Sequence, residues 1–218
     1  MGLGDHRIRY VKLDQNQGRP VARNRAVKEA RGEYIVWMGD DDLMKPELLA
    51  RYFETLRRSD RIDVLYSKLS FFAEQPGDLN QLFDPIDWLV HRGELLSAKL
   101  SGSVIPDPGT ATRLAFLRRF DGPYDAEFCR AQDYELWTRM ALDMSIHKLD
   151  ETLYDYRQHA RSASGGHFTD FTLESKVIRR HFERVAHQEL APALDWGEPD
   201  VSRAQLMLRV AKSLNQYR

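Results

Sequence analysis

The chain has 218 residues, of which 42% are hydrophobic and 30% charged, values that indicate a soluble globular domain and exclude intrinsic disorder. Its formal net charge of −1 provides no overall field for a polyanion, so we expect no nucleic-acid partner. The single cysteine, Cys129, cannot form an internal disulfide, which favours the cytoplasm, and no apolar segment approaches the roughly 18 residues of a membrane span.

The first predicted elements alternate between strand and helix. Residues 7–13 have the alternation of a short strand, and the helix that follows begins near Pro20 and ends near Gly32. Residues 33–38 form the short apolar run that is typical of a strand buried on both faces. This order predicts an α/β fold with a largely parallel sheet, in which ligands bind at the carboxyl ends of the strands.

The rest of the chain predicts further helices and strands, without an internal repeat or a low-complexity linker. Further helices are expected over 46–58, 112–120, 133–143, 171–190 and 202–214, and further strands over 62–66, 68–72, 146–149 and 152–156. We therefore expect one α/β domain over residues 1–168 and a C-terminal helical extension over residues 169–218.

Three consecutive aspartates, Asp40, Asp41 and Asp42, follow the predicted strand 33–38. Crowding three carboxylates is unfavourable unless a cation or hydrogen-bond donors neutralise them. Mg²⁺ and Mn²⁺ prefer oxygen ligands and leave coordination positions for phosphate oxygens, so the triplet indicates a metal–phosphate site. The alternative is that one aspartate caps the next helix while the others face water.

The helix before these aspartates carries Arg23. A guanidinium at this place can pair with a phosphate or with Asp40, and the alternative is a solvated basic helix face.

Two further side chains allow both a structural and a chemical interpretation. Asp133 stands where a helix begins, so it is either an N-cap or a general base whose ionised form the helix terminus favours, and both can hold together. His159 precedes a glycine-containing loop and is either an ordinary surface histidine or the third protein ligand of a metal.

Three separated segments carry a resemblance to a known family: residues 18–49, 120–142 and 149–159. In this order and spacing they resemble the family 2 glycosyltransferases of the GT-A fold, and the similarity covers roughly residues 7–165. The resemblance implies a metal-dependent, inverting transferase with a GT-A-like, mixed and mainly parallel sheet. Such an enzyme moves a sugar from a nucleotide-sugar donor to an acceptor hydroxyl with the aid of Mn²⁺ or Mg²⁺.

The resemblance also assigns residues to the donor. Arg23 and Asn24 match the Ala-Arg-Asn segment that lines the nucleotide site, and Asp40 matches the aspartate near the ribose. Asp41 matches the aspartate that contacts the metal. Gly39 stands where the family usually has a first aspartate, so this chain departs from the acidic motif there.

On the acceptor side, the resemblance implies that Asp133 is the catalytic base, preceded by Gln132 where an acid is common. His159 matches a histidine that helps to hold the metal or the diphosphate in some members. The implied acceptor is a polysaccharide, a lipid-linked glycan or another glycoconjugate of the cell envelope, which is consistent with a cytoplasmic protein bound peripherally at the inner face of the membrane.

Family members begin with two strand–helix units that form much of the base-binding pocket, and nothing before Arg7 matches them. The sequence therefore predicts an N-terminally truncated GT-A domain. An alternative hypothesis is that the chain is an inactive binding or assembly module, which could form a homo-oligomer through an exposed sheet edge. A metal-dependent phosphotransfer enzyme is a weaker alternative, since no nucleophilic aspartate has a supporting motif.

Overall fold

The computed structural model describes residues 4–79, 81–83, 105–141, 143–158, 172–190 and 194–215. His159 lies outside these residues. Among the described helices, none is both long and apolar enough to cross a bilayer.

The described helices lie close to their predicted positions, except that the predicted helix 171–190 is divided into two and the predicted helix 112–120 is shortened. They are α1 (Arg19–Glu29), α2 (Leu48–Leu56), α3 (Leu114–Leu117), α4 (Gln132–Met140), α5 (Thr172–Arg184), α6 (His187–Leu190) and α7 (Pro199–Asn215). Pro20 lies in the first turn of α1, as its fixed φ and missing N–H favour, and the helix ends three residues before Gly32.

One mixed sheet contains the six described strands: β1 (Tyr34–Val36), β2 (Leu43–Met44), β3 (Val64–Phe72), β4 (Leu82–Phe83), β5 (Ala111–Arg113) and β6 (Ile146–Arg157). Their order is β1-β5-β3-β6-β2, with β4 also paired to β3. The expected mixed sheet is confirmed. The expected predominance of parallel pairs is not found among the described strands, because β5 runs antiparallel between β1 and β3 and β3–β6 is the one parallel pair there.

The prediction of a strand over residues 7–13 is wrong. This segment has no regular structure, and Ile8 and Tyr10 are 54% and 86% exposed. A segment becomes a strand only where a neighbouring strand pairs with it. Among the described residues, β1 is paired along one edge only, with β5, so residues 7–13 do not pair with it. For the same reason β1 is half-buried rather than buried on both faces.

Three other boundaries differ from the prediction. The predicted strands 62–66 and 68–72 merge into one strand, β3, which begins at Val64, because an irregular register near Ser67 lets pairing with β6 continue. Residues 146–149 and 152–156 likewise form one strand, β6. The predicted helix 112–120 begins instead as β5, since residues 111–113 pair with β1, and only α3 is helical.

The sheet separates two apolar clusters because successive side chains of β3 point to opposite faces. Val64 and Tyr66 join the larger cluster with Trp137 of α4, whereas Leu65 joins the smaller one with Tyr52 of α2. Side chains of α5 and α7 also enter the larger cluster. The division of the chain at residue 168 stays a prediction.

Candidate active site

Residues 39–42 form an acidic loop after β1, and one of its carboxylates turns into the protein. Asp42 is 5% exposed. Its Oδ2 accepts a 2.8 Å hydrogen bond from the Tyr154 hydroxyl, and its Oδ1 accepts a 2.9 Å bond from the Arg157 backbone N–H. Burial raises the pKa of Asp42, and these two donors oppose that effect. Asp42 therefore anchors the loop to β6 and is not directed at a ligand.

The position of Asp42 gives a physical reason for Gly39. A Cβ at Gly39 would lie 2.4 Å from Asp42 Oδ2, closer than any real contact. The backbone N–H of Gly39 donates a 3.1 Å hydrogen bond to the hydroxyl of Tyr154. The inward Asp42 thus fills the space that a side chain at position 39 would need. The packing of this loop therefore explains why Gly39 stands where the family usually has an aspartate.

The other two aspartates keep contact with solvent. Asp40 is exposed and Asp41 is half-buried, and the Asp41 carbonyl accepts a 3.0 Å hydrogen bond from Arg157 Nε. No group of three His, Cys, Asp or Glu side chains able to hold a metal occurs within the described ranges, which omit His159. The residues nevertheless fit the way Mg²⁺ and Mn²⁺ bind through one or two protein carboxylates and substrate phosphates, since Asp40 is exposed and Asp41 is half-buried. The metal ligands Asp41 and His159 stay predictions.

Arg23 extends from α1 to Asp107, whose Oδ2 accepts a hydrogen bond from Nη2. The guanidinium carbon lies 5.0 Å from the ring centroid of Trp37 and 5.2 Å from that of Tyr124, within range of a cation–π interaction. The side chains of Arg23 and Asp107 are only 18% and 6% exposed. The expected alternative of a pair with Asp40 is wrong, because Arg23 faces the interior and binds Asp107. Its contact with the nucleotide stays a prediction.

Asn24 uses its whole amide to hold the loop before α4. Its Nδ2 donates to the Tyr124 carbonyl at 2.7 Å, and its Oδ1 accepts from the Tyr124 N–H at 2.9 Å. These bonds satisfy backbone groups that would otherwise be buried without partners. Asn24 therefore positions the aromatic ring that covers Arg23, and direct contact with a nucleotide stays a prediction.

Asp133 lies in the first turn of α4, whose N-cap is Ala131, so its interpretation as the N-cap is wrong. Asp133 is half-buried, and the backbone N–H groups of Asp133 and Tyr134 lower the pKa of its carboxyl. Burial and the negative charge of Asp107 raise the pKa of Asp133 to about 6, although Arg23 opposes this change. The result is a carboxylate that is ionised at neutral pH and more basic than an ordinary aspartate.

The short segment 105–110 packs against α1, Trp37 and β6. Its Asp107 binds Arg23, and the N–H of Gly109 donates a 2.8 Å hydrogen bond to the Trp37 carbonyl. A Cβ at Gly109 would lie 2.7 Å from the ring of Tyr154, and its φ of +75° also favours glycine. The segment therefore links α1 to the residues after β1 and to β6.

Sequence reasoning missed Asp107. The only available signal was an acidic residue between two prolines, in the segment 105–109, and such a pattern predicts a turn.

Comparison with curated proteins places the chain among glycosyltransferases. It is 30% identical over 154 residues to an uncharacterized glycosyltransferase of Methanocaldococcus jannaschii, covering 70% of this chain and 51% of that protein. It is 28% identical over 154 residues to the putative colanic acid biosynthesis glycosyl transferase WcaA of Escherichia coli, covering 65% and 48%. The chain thus spans about half the length of these two curated relatives.

A further relative has a more specific name. The chain is 27% identical over 186 residues to the UDP-Glc:alpha-D-GlcNAc-diphosphoundecaprenol beta-1,3-glucosyltransferase WfaP of Escherichia coli, covering 81% of this chain and 66% of that protein.

Among solved structures, residues 1–349 of TarS from S. aureus in complex with UDP-GlcNAc superpose with a TM-score of 0.62 at 18% identity, covering 96% of this chain and 64% of that one. The UDP complex of the same protein gives a TM-score of 0.57 at 19% identity, covering 94% and 70%. This likeness confirms the GT-A-like fold. The profile described as "Glycosyl transferase family 2" matches residues 2–113, about half of the chain. The chain therefore belongs to glycosyl transferase family 2.

Proposed function

We propose that the chain transfers a sugar from a nucleotide-sugar donor to an acceptor hydroxyl, with inversion at the anomeric carbon. The observation that carries this proposal is Asp133, a half-buried carboxylate with a raised pKa in the first turn of α4. A general base works best when its pKa lies near the operating pH, and burial beside Asp107 moves Asp133 in that direction.

In the proposed reaction, Asp133 accepts the proton of the acceptor hydroxyl as its oxygen bonds to the anomeric carbon. The bond from that carbon to the nucleoside diphosphate breaks at the same time, on the opposite face of the sugar, so the configuration inverts. The hydroxyl is far less acidic than a carboxylic acid, so proton transfer accompanies bond formation and does not precede it.

The proposed donor side consists of the acidic loop and the first turns of α1. Asp40 is exposed and Asp41 is half-buried, and Asp42 and Arg157 hold the loop that carries them. A bound Mn²⁺ or Mg²⁺ would neutralise charge that develops on the departing diphosphate. The fold shared with the UDP-GlcNAc complex of TarS supports a nucleotide-sugar donor.

The test is to incubate the full chain with UDP-glucose or UDP-N-acetylglucosamine and Mn²⁺, and to measure release of UDP together with the thermal shift. We expect both nucleotide-dependent stabilisation and slow release of UDP by transfer to water. Asp133→Asn should abolish release and keep the shift, whereas Asp143→Asn, at an exposed residue after α4, should change neither. The absence of both UDP release and a thermal shift, with every nucleotide sugar tested, would overturn the proposal.

The metal site has its own test. We expect binding of Mn²⁺ in the presence of UDP, measured by electron paramagnetic resonance, to weaken at least about tenfold in Asp41→Asn, because a direct carboxylate ligand is lost. Asp121→Asn, at an exposed residue of the loop before α4, is the matched control. Equal affinity in wild type and Asp41→Asn would exclude Asp41 as a ligand.

The acceptor and the location also belong to the proposal. The name of WfaP specifies a diphosphoundecaprenol-linked sugar as its acceptor, and this supports a lipid-linked glycan acceptor for the present chain. Such an acceptor would keep a cytoplasmic enzyme at the inner face of the membrane. Sedimentation with vesicles that contain an undecaprenyl-diphosphate sugar, against vesicles without it, tests this assignment.

A second candidate role, as an assembly module, is favoured by the position of β1. In the part of the chain that the structure describes, β1 pairs with β5 on one side and with no strand on the other. Such an edge can pair with a second copy of the chain. Light scattering that gives a defined dimer, together with no nucleotide-induced thermal shift, would favour this role over catalysis.

A further inference from the structure

Helix α5 contacts the loop over residues 121–131, which leads to Asp133. Arg180 of this helix donates a 2.9 Å hydrogen bond from Nη1 to Asp125 Oδ2, and its Nη2 donates to Glu127 Oε2. The guanidinium carbon of Arg180 lies 4.9 Å from the ring centroid of Phe128, within range of a cation–π interaction. One side chain of the predicted C-terminal extension therefore contacts three residues of this loop.

A second cation of α5 completes a charge network. Lys176 lies four residues before Arg180 and pairs with Glu127 Oε1. The side chains of Arg180, Asp125 and Glu127 are 28%, 37% and 43% exposed. An isolated ion pair at such exposure adds little to stability, whereas a network of several charges can hold its members in one arrangement. We therefore expect the network to order the loop while contributing little to the global stability of the protein.

Loop 121–131 is attached to the domain at other points as well. Asn24 of α1 holds the backbone of Tyr124 through two hydrogen bonds, and Arg139 of α4 donates a 2.5 Å bond to the Pro123 carbonyl. The loop then ends at the N-cap of α4, two residues before Asp133. The contacts with α5 thus hold the second half of the loop, next to the helix turn that carries Asp133.

We infer that Arg180 is a positioning residue for the transfer reaction: by bridging Asp125 and Glu127, it fixes loop 121–131 and, through it, the first turn of α4 with Asp133. The inference deepens the proposed function and rests on Asp133 as the base. A general base must lie within hydrogen-bond reach of the proton it accepts, and a misplacement of about 1 Å can cost about 100-fold in rate.

The first measurement is amide hydrogen exchange of the full chain, followed by mass spectrometry over residues 121–131. Arg180→Met keeps an unbranched side chain and removes both hydrogen bonds, so we expect exchange in the loop to become at least about threefold faster. Arg179→Met is the matched control, because Arg179 is exposed on the same helix and should leave exchange unchanged. Unchanged loop exchange in Arg180→Met would overturn the inference.

A change in the partner carboxylate tests whether the two residues act together. Asp125→Asn removes the charge and keeps an oxygen for the Glu127 N–H, which Asp125 Oδ1 accepts at 3.0 Å. This variant should also exchange faster in the loop, and Arg180→Met/Asp125→Asn should exchange no faster than Arg180→Met alone. Effects that multiply in the double variant would contradict the inference.

If Arg180→Met does not fold, Arg180→Lys takes its place in both comparisons. A compact ammonium cannot bridge two carboxylates as the planar guanidinium does, so loop exchange should still be faster than in the wild type.

The second measurement is steady-state release of UDP from the nucleotide sugar that the wild-type chain uses. In Arg180→Met, kcat should fall at least about tenfold while the KM for the donor stays within about twofold, because Asp40 and Asp41 lie in a different loop. A purely structural role would instead lower the midpoint of urea unfolding and leave the kcat of the folded molecules unchanged.

The two measurements separate this inference from the proposed function. An active wild type with an unchanged kcat in Arg180→Met would overturn the role of Arg180 and leave the proposed function standing. A wild type that releases no UDP would overturn the role in transfer together with the proposed function, and loop exchange would still decide whether Arg180 orders the loop.

Discussion

The Tyr154 hydroxyl donates a 2.8 Å hydrogen bond to Asp42 Oδ2, and this contact between β6 and the acidic loop decides which aspartates remain for a ligand. It turns one carboxylate of the triplet into the protein, whereas Asp40 is exposed and Asp41 is half-buried. Since the same hydroxyl accepts from the Gly39 N–H, one side chain fixes both ends of the loop.

We therefore expect Tyr154→Phe to destabilise the protein by about 1–3 kcal/mol, because buried Asp42 loses a donor while the ring packing is kept. The loss of stability in Tyr154→Phe should be smaller at acidic pH. Burial already raises the pKa of Asp42, and loss of the hydroxyl raises it further, so the penalty falls on the ionised form. Urea unfolding at neutral and acidic pH measures both effects.

The matched control is Tyr10→Phe, because Tyr10 is 86% exposed and should tolerate the same change without loss of stability. A deficit in Tyr154→Phe that stays constant with pH would show that the lost hydroxyl does not act through the Asp42 charge.

Gly39→Ala tests the packing explanation for the altered acidic motif. The added methyl group would meet Asp42 Oδ2, so we expect a loss of about 1–3 kcal/mol, as for other overpacked sites. In the Asp42→Ala background the same change should cost much less, because the colliding oxygen is gone. Thermal and urea unfolding of the four proteins in this double-mutant cycle give the coupling energy. Additive effects would contradict the explanation.

Asn24→Ala should destabilise the protein by about 1–3 kcal/mol, since the N–H and carbonyl of Tyr124 lose their partner together. Asn16→Ala is the control, because Asn16 makes one exposed hydrogen bond, to the Gly18 N–H. Urea unfolding gives the stability of each variant, and calorimetry with UDP gives its affinity. Weaker UDP binding at unchanged stability would instead favour direct contact of Asn24 with the nucleotide.

The parts of the fold that follow from local signals could be predicted, and those that depend on distant partners could not. Pro20 placed the start of α1, and apolar periodicity placed α2 and α4. The alternation in residues 7–13 looks the same whether or not a neighbouring strand exists, so it could not show that the segment stays outside the sheet.

The residues of the candidate site show the same difference between local signals and contacts with distant partners. The acidic triplet and Asp133 are local motifs that the sequence displays directly. The Arg23–Asp107 pair joins residues 84 positions apart, and the Tyr154–Asp42 bond joins residues 112 apart. The first contact depends on the pairing of β5, which follows Asp107, with β1, and the second on the pairing of β2, which follows Asp42, with β6. No residue spacing in the sequence predicts such a contact, so the orientations of Arg23 and Asp42 are known only from the structure.

Asp133→Asn should make the protein more stable at neutral pH, and the sign follows from linkage. Folding raises the pKa of Asp133 from the usual 3.8 to about 6, so the folded state favours the protonated form and loses stability as the pH rises through 6. Asparagine resembles the protonated acid and does not ionise. The stability of the variant relative to wild type should therefore increase from about pH 4 to about pH 8 by at most roughly 3 kcal/mol.

Urea unfolding across this pH range measures the effect, with Asp143→Asn as the control that should show no such trend. A wild type that is as stable as Asp133→Asn at about pH 8 would mean that the ionised carboxylate is not destabilising in the fold. In the proposed reaction this gain has a functional meaning: burial and Asp107 weaken the fold when Asp133 is ionised, and they also raise the basicity with which Asp133 would take the proton of an acceptor hydroxyl.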